Sequence, residues 1–267
     1  MRIIILGCGP SGGIPLITGE WGKCDPANPR NRRSRSSVLI QVNGKNILID
    51  AGPDMREQLL DAEITNIDAV LFTHDHSDHL RGIDDLRQIA LRNKRPVPLY
   101  ADSRTMAIIE RDYPYAIHQK DDLYPCFLTI HSFSAGTWFI DDVRVLAFPQ
   151  NHGKTISWGF RIGDFAYSTD FHEIPEVSLQ QLQGLKCWIV DCLRFEPHPT
   201  HSNFDNTISL IQRLQPEEAI LTHMNQEIDY DQVIERLQKN IRPGIDGMTI
   251  EFSDANVIIY DKFSKKY

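Results

Sequence analysis

The chain has 267 residues, 41% hydrophobic and 24% charged, a balance that excludes disordered and fibrous classes and is long enough to bury a full core without disulfides. Its formal net charge of -8 argues against a general nucleic-acid binder, which carries a basic surface. The five cysteines, Cys8, Cys24, Cys126, Cys187 and Cys192, form no C-x-x-C pair, which fits reduced thiols in a cytoplasmic protein better than a disulfide framework. The longest apolar runs, such as residues 3–6 and 69–72, fall far short of the ~18 residues of a membrane-spanning helix. The apolar stretch before Gly7 is also too short for a signal peptide, so the expected location is cytoplasmic, with no membrane partner.

In chain order, the first strand is predicted over residues 2–6 and runs into a glycine-rich turn, Gly7-Cys8-Gly9-Pro10-Ser11-Gly12-Gly13. Such a turn can present backbone N–H groups, here at Gly12 and Gly13, to a phosphate, or it can simply reverse the chain. Residues 28–37 then concentrate Arg30, Arg32, Arg33 and Arg35 in an otherwise acidic chain. Guanidinium forks match phosphate oxygens, which makes Arg33 and Arg35 candidate substrate contacts, and a solvated surface loop accounts for the same composition equally well. Apolar patterning predicts strands over 37–42 and 46–50 about a Gly44-Lys45 turn, a helix over 55–61 and a strand over 69–72. A helix over 84–91, a strand over 99–101, a helix over 105–113 and strands over 127–130 and 143–148 follow. A second hairpin, 157–162 and 165–168 about Gly163-Asp164, precedes a helix over 178–182, a strand over 187–191 and a helix over 206–214. A strand over 219–221, a helix over 230–239 and a strand over 257–260 close the chain. With a hairpin in each half and no linker rich in Pro, Gly or Ser, the pattern predicts an α/β fold of one domain, residues 1–267, with two similar halves.

The most informative segment is Thr73-His74-Asp75-His76-Ser77-Asp78-His79, between a predicted strand and a helical pattern. Neutral imidazoles and carboxylates are the donors that zinc, manganese and iron accept, and a strand end followed by a turn can aim several of them at one point.

His74-x-His76-x-Asp78-His79 resembles the H-x-H-x-D-H motif of the metallo-β-lactamase superfamily. The resemblance implies a four-layer αββα sandwich of two mixed β-sheets with helices outside. It extends to His152 in Gln150-Asn151-His152-Gly153, to Asp170 in Tyr167-Ser168-Thr169-Asp170 and to His223 in Ile220-Leu221-Thr222-His223. These fill the remaining ligand positions in the family's order. The resemblance thus implies two divalent metal ions, zinc or manganese, with iron also accepted by the same donors. His74, His76 and His152 would bind one ion, Asp78, His79 and His223 the other, and Asp170 would bridge. A water shared by two cations is acidified by their charge, and as a bridging hydroxide it attacks a phosphorus or carbonyl centre. Asp78 and Asp170 are catalytic in that sense. Asp170 stands where true β-lactamases of the superfamily usually carry cysteine, so antibiotic hydrolysis is not expected.

The glycine-rich opening resembles that of the phosphodiesterase branch, which includes the PhnP-type cyclic phosphodiesterases and tRNase Z. The PhnP-type group also carries a histidine near the metals, outside the seven ligands, matched here by His201 in Thr200-His201-Ser202. A histidine of near-neutral pKa is suited to protonate a leaving oxygen; a helix-start or surface residue is the alternative, and His198 is the second candidate. His118, His131 and His172 read as surface or packing residues. PhnP-type proteins hold an extra structural zinc on closely spaced cysteines, whereas residues 21–26 keep only Cys24, so that zinc is not expected. The expected function is a dinuclear metal-dependent phosphodiesterase acting on a small nucleotide-like or cyclic phosphate ester. The alternatives are a tRNase Z-like ribonuclease, disfavoured by the acidic charge, a glyoxalase II-like thioester or lactone hydrolase, and a catalytically silent metal-binding or redox module. A homodimer is compatible with the sequence.

Overall fold

The apolar run at the start of the chain alternates between two interiors. In a computed structural model, which describes residues 1–118, 125–253 and 256–263, β1 (Arg2–Gly7) places Ile3 and Ile5 in one hydrophobic cluster and Ile4 and Leu6 in another. That is the period-two alternation of a strand buried on both faces. The same division continues along β2 (Ser37–Val42) and β3 (Lys45–Ile49): Val38, Ile40, Ile47 and Ile49 join Ile3 and Ile5, while Leu39 and Leu48 join Ile4. Each fully buried Ile or Leu contributes about 2 kcal/mol of transfer free energy.

The first sheet continues through β4 (Ala69–Leu71), β5 (Val97–Ala101) and β6 (Leu128–Ser132) on one side of β1 and β14 (Thr249–Phe252) and β15 (Val257–Tyr260) on the other. Its order is β15-β14-β1-β2-β3-β4-β5-β6, antiparallel as far as β3 and parallel from there to β6. Helices α1 (Met55–Asp61), α3 (Leu86–Asn93) and α4 (Ser103–Asp112) cover its outer face through Met55, Leu59, Leu86, Ala90, Met106 and Ile109. The short α2 (Ser77–Leu80) and α5 (Pro114–Ile117) lie in the connections.

The second sheet is built from β7 (Gly136–Ile140), β8 (Val143–His152), β9 (Thr155–Ile162), β10 (Phe165–Ser168), β11 (Cys187–Asp191), β12 (Glu218–Thr222) and β13 (Ile241–Pro243). β7 to β10 are antiparallel and β10 to β13 parallel. Val145, Ala147 and Phe160 share a cluster with Ile3, Ile5 and Val38, so the two sheets face each other across one core. Leu179 of α6 (Glu176–Gln180), Ile211 and Leu214 of α7 (Phe204–Leu214) and Val233 of α8 (Tyr230–Ile234) join it from the outer side. Two mixed sheets with helices outside is the architecture expected from the sequence. Among the described residues no helix is long and apolar enough to cross a membrane.

Several local expectations are corrected. The first hairpin turns at Asn43 and Gly44, both at positive φ, with Lys45 already paired to Val42; two left-handed residues give the twist that a tight hairpin needs. The helix expected over 230–239 stops at Ile234, because the chain must reverse to lay Ile241 beside Ala219. The helix over 84–91 begins as a 3-10 turn, Ile83–Asp85. Strands β7, β13 and β14 are found in addition to those expected.

Candidate metal centre

β4 delivers Phe72 into the core, and the chain then leaves the sheet as Thr73 to His76, ending on α2. One short helical turn therefore brings His76, Asp78 and His79 to the end of a strand that has just presented His74. Two glycines allow α2 to lie this close: a Cβ on Gly52 would meet Asp78 O at 2.0 Å, and one on Gly82 would meet Gly52 O at 2.1 Å. Arg104 of α4 fixes the loop from outside by donating to Asp75 Oδ2 at 3.0 Å. From the second sheet come His152 at the end of β8, Asp170 two residues after β10, and His223 directly after β12. Asp170 and His223 hold φ of +54° and +57°, a left-handed conformation that costs non-glycine residues of order 1 kcal/mol and is found where a site over-determines the backbone.

Asp170 is the centre of the arrangement. Its Oδ2 faces His74 Nε2 at 3.7 Å, His152 Nε2 at 3.8 Å and His201 Nε2 at 3.8 Å. Its Oδ1 faces His79 Nε2 at 3.3 Å and His223 Nε2 at 3.4 Å. Asp78 Oδ2 lies 3.1 Å from His79 Nε2 and 3.8 Å from His223 Nε2. Donor atoms fall within 4.8 Å of one another in three sets: His74, His76, His152 and Asp170; Asp78, His79 and His223; and Asp170, His201 and His223.

The fit to a cation can be tested on the chain's own polar atoms. His74, His79, Asp170 and His223 are almost wholly buried, yet Nε2 of each of the three histidines has no hydrogen-bond partner. Buried polar atoms left unpaired in this way are costly unless another group satisfies them. The Nδ1 atoms of His74, His79 and His152 are committed elsewhere, whereas His223 Nδ1 is buried without a partner as well. His79 Nδ1–H donates to Asp50 Oδ2 at 2.7 Å, His152 Nδ1–H donates to Thr200 O at 2.7 Å, and His74 Nδ1 meets Thr73 Oγ1 at 2.9 Å. Each bond leaves the Nε2 lone pair directed into the centre, the arrangement that orients histidine ligands. Two donors ~2.1 Å from one zinc stand roughly 3.4 Å apart at tetrahedral angles, and the separations above match that spacing. The residues fit a divalent cation.

The charges point the same way. For His79, burial disfavours the imidazolium, but Asp170, Asp78 and Asp50 outweigh it and raise the pKa well above the ordinary value. His223 is raised to about 9 against burial, chiefly by Asp170. Asp170 is held well below the usual carboxylate range, burial being overcome by His223, His79 and His201. Asp78 is lowered in the same way by His79 and His223. Burial keeps His74 well below its ordinary value, and burial likewise lowers His152. The two carboxylates thus draw positive charge to the point where the imidazoles meet.

His201 joins the cluster. Its ring stacks on His223 at 4.7 Å and meets His152 edge-on at 4.8 Å, and its Nδ1–H donates to the buried Asp191 Oδ2 at 3.1 Å. His198 lies behind it at 5.2 Å, with Nδ1 accepting from Thr200 N, and so braces the loop. The four expected substrate contacts are not brought to the histidines. Gly12, Gly13, Arg33 and Arg35 line a separate cavity of about 990 Å³. Arg33 is buried with its guanidinium on Asn225 O and Asn31 Oδ1, and Arg35 is paired to Asp54 at 2.8 Å. Trp138 stacks on Tyr100, and Trp158 packs against Phe133. Sequence reasoning missed Asp50 and Asp191, the carboxylates behind His79 and His201. Their only signal was an acidic residue closing an apolar strand, in Ile47-Leu48-Ile49-Asp50 and Trp188-Ile189-Val190-Asp191.

A cleft of about 390 Å³ opens over the cluster; beyond the histidines and the two aspartates its walls are Ser11, Lys154, Thr155 and Thr200. Comparison with known proteins places this geometry in a family. Residues 45–224 match the Beta-lactamase superfamily domain. The chain is 30% identical over 272 residues to a Porphyromonas gingivalis protein named octanoyltransferase, an alignment covering 98% of this chain and 54% of that protein. It is 28% identical over 134 residues to a ribonuclease Z of Methanococcus maripaludis, covering 47% of this chain and 42% of the relative. The chain therefore spans about half the length of these curated relatives. Among solved structures, a diphosphatase from the PhnP family is similar with a TM-score of 0.87 and 34% identity, covering 94% of this chain and 98% of that one.

Proposed function

The chain belongs to the metallo-β-lactamase superfamily, in its PhnP and ribonuclease Z branch, and from that membership we propose a dinuclear metal-dependent phosphodiesterase acting on a small nucleotide-like or cyclic phosphate ester. The reading treats residues 1–267 as one domain with two pseudo-symmetric halves. It is carried by the way Asp170 divides its oxygens, Oδ2 toward His74 and His152 and Oδ1 toward His79 and His223. His74, His76 and His152 would hold one cation, Asp78, His79 and His223 the other, with Asp170 between them. Zinc and manganese suit these donors, and iron is accepted by the same set. When bound, the pair of ions would supply the charge that acidifies a water and polarises a phosphoryl oxygen. The chain's own residues do the rest. His201, held at Nδ1 by Asp191, presents Nε2 to the cleft and is placed to give a proton to the leaving oxygen.

The walls of the cleft favour this reading over binding of a long acyl chain. Ser11, Lys154, Thr155 and Thr200 offer hydroxyls and an ammonium, and the cleft lining includes no aliphatic or aromatic apolar residue among those described. Such walls suit phosphate and sugar oxygens; an octanoyl chain would need apolar burial to bind. The relative named diphosphatase widens the class to diphosphate esters, cleaved at phosphorus by the same groups. The likeness to a ribonuclease Z supports a second reading, in which the ester is a short RNA.

The test is metal content by elemental analysis on purified protein, with the same sample assayed on bis(p-nitrophenyl) phosphate, a thioester, a lactone and a short RNA. About two metals per chain with selective phosphodiester cleavage is expected. Turnover of the thioester or lactone alone would overturn the substrate class while leaving the ligand assignment standing.

A further inference from the structure

Lys154 occupies the turn between β8 and β9, two positions after His152, and lines the cleft over the cluster. The turn is tied at both ends: His152 Nδ1 donates to Thr200 O at 2.7 Å, and Thr155 Oγ1 donates to His152 O at 2.9 Å. Gly153, at φ +62°, sits so close to the facing loop that a Cβ would fall 2.6 Å from Thr200 Cγ2. The backbone of Lys154 is therefore fixed against the loop that carries His201. Its side chain is exposed and enters none of the ion pairs among the described residues, whereas Arg104, beside the same motif, is engaged by Asp75, and Arg35 by Asp54. Lys154 is thus the one lysine or arginine that faces the cleft among the described residues.

A cleft of about 390 Å³ has room for more than the ester under attack, and an ammonium at its mouth rewards negative charge on the part of the substrate that does not react. Resting on the phosphodiester reading, we propose that Lys154 is a specificity-determining residue: its ammonium binds an oxygen of a second phosphoryl group next to the scissile one, so that the site selects diphosphate esters over esters with a single phosphoryl group.

The experiment compares wild type, Lys154→Met, which keeps the length of the stem without its charge, and Lys154→Arg, all metal-loaded. Binding is measured calorimetrically with adenosine 5′-(α,β-methylene)diphosphate, whose bridge resists cleavage, and with adenosine 5′-monophosphate. Wild type should prefer the diphosphonate, and Lys154→Met should weaken that preference ~10-fold, the scale of one charge-assisted hydrogen bond, with Lys154→Arg restoring it. In turnover the loss should appear in KM for a diphosphate diester, with kcat little changed. Equal preference in wild type and Lys154→Met would overturn the role of the lysine even if phosphodiesters are cleaved. A wild type that cleaves thioesters and no phosphodiester would instead overturn the underlying substrate class.

Discussion

The two sheets repeat one order of pairings, an antiparallel hairpin followed by parallel strands: β2 and β3 then β4 and β5 in the first, β9 and β10 then β11 and β12 in the second. Each hairpin ends by turning an aspartate into the left-handed region, Asp50 at φ +65° after β3 and Asp170 at φ +54° after β10. The fates of the two carboxylates differ. Asp50 accepts from Thr73 N, Thr73 Oγ1 and His79 Nδ1, and burial pushes its pKa up. Asp170 accepts from its neighbour Thr169 Oγ1 and otherwise faces imidazoles that hold its pKa down. The same backbone device supplies a support in one half and a central donor in the other. What decides between them is whether the surroundings already satisfy both oxygens.

Replacing the central donor should have the largest effect. Asp170→Ala removes the group shared by both sets of histidines, so the protein should lose metal by elemental analysis and lose detectable turnover. Two retained metals with measurable activity would mean that Asp170 is as peripheral as Asp50. Next in size, His201→Ala should keep its metals and lose roughly 10²-fold in kcat, the usual scale of a missing general acid. Metal loss in that variant would make His201 a ligand, a role its distance of 3.8 Å to Asp170 Oδ2 leaves geometrically open.

Asp50→Asn probes the comparison from the other side. An amide can accept at only one of its two ends, so one of the contacts with Thr73 and His79 is broken and the orientation of His79 loosens. Metal affinity, measured by competition with a chelator, should fall ~10- to 100-fold, as for other supports behind a ligand. A loss as complete as in Asp170→Ala would erase the distinction between support and donor. The charges give a further check. In protein stripped of metal, His223, raised to about 9, should carry a proton at pH 7, and the surrounding carboxylates push His79 in the same direction. Zinc must displace these protons, so binding should release them and affinity should rise with pH through that range. Calorimetry in buffers of different ionisation enthalpy reads the number released; zero release would contradict the protonated state.

The dense motif at His74 to His79 was legible because its donors are close in sequence, and His152, Asp170 and His223 became legible through the order of the family they resemble. Each ends or follows a strand of the second sheet, so sheet topology converts three distant positions into neighbours. Asp50 and Asp191 were not legible: a carboxylate behind a ligand leaves the same trace as any polar residue that ends a strand. Residues 30–35 left two readings open, a substrate contact or a solvated loop, and neither describes the buried Arg33 bonded to Asn225 O. A run of arginines describes composition, whereas the partners of each guanidinium depend on what folds over it. Asn225 O lies beyond the last ligand and Asp54 lies ahead of α1, and neither is near Arg33 or Arg35 in sequence.

Arg35 gives the smallest expected effect and the sharpest check on that last point. Its guanidinium pairs with Asp54 at 2.8 Å, both side chains being about a quarter exposed, and its Nε–H donates to Ser11 O at 2.8 Å. A half-screened pair of this kind is worth about 0.5–1 kcal/mol, and the bond to Ser11 ties the glycine-rich turn rather than freeing an N–H for substrate. Arg35→Ala should therefore lower the unfolding midpoint by a few degrees, with kcat/KM on a phosphodiester within about twofold of wild type. Because Ser11 also borders the cleft, a displaced turn would act through KM alone. A tenfold loss of kcat/KM at unchanged stability would return Arg35 to the substrate and show that the larger cavity, too, belongs to the reaction.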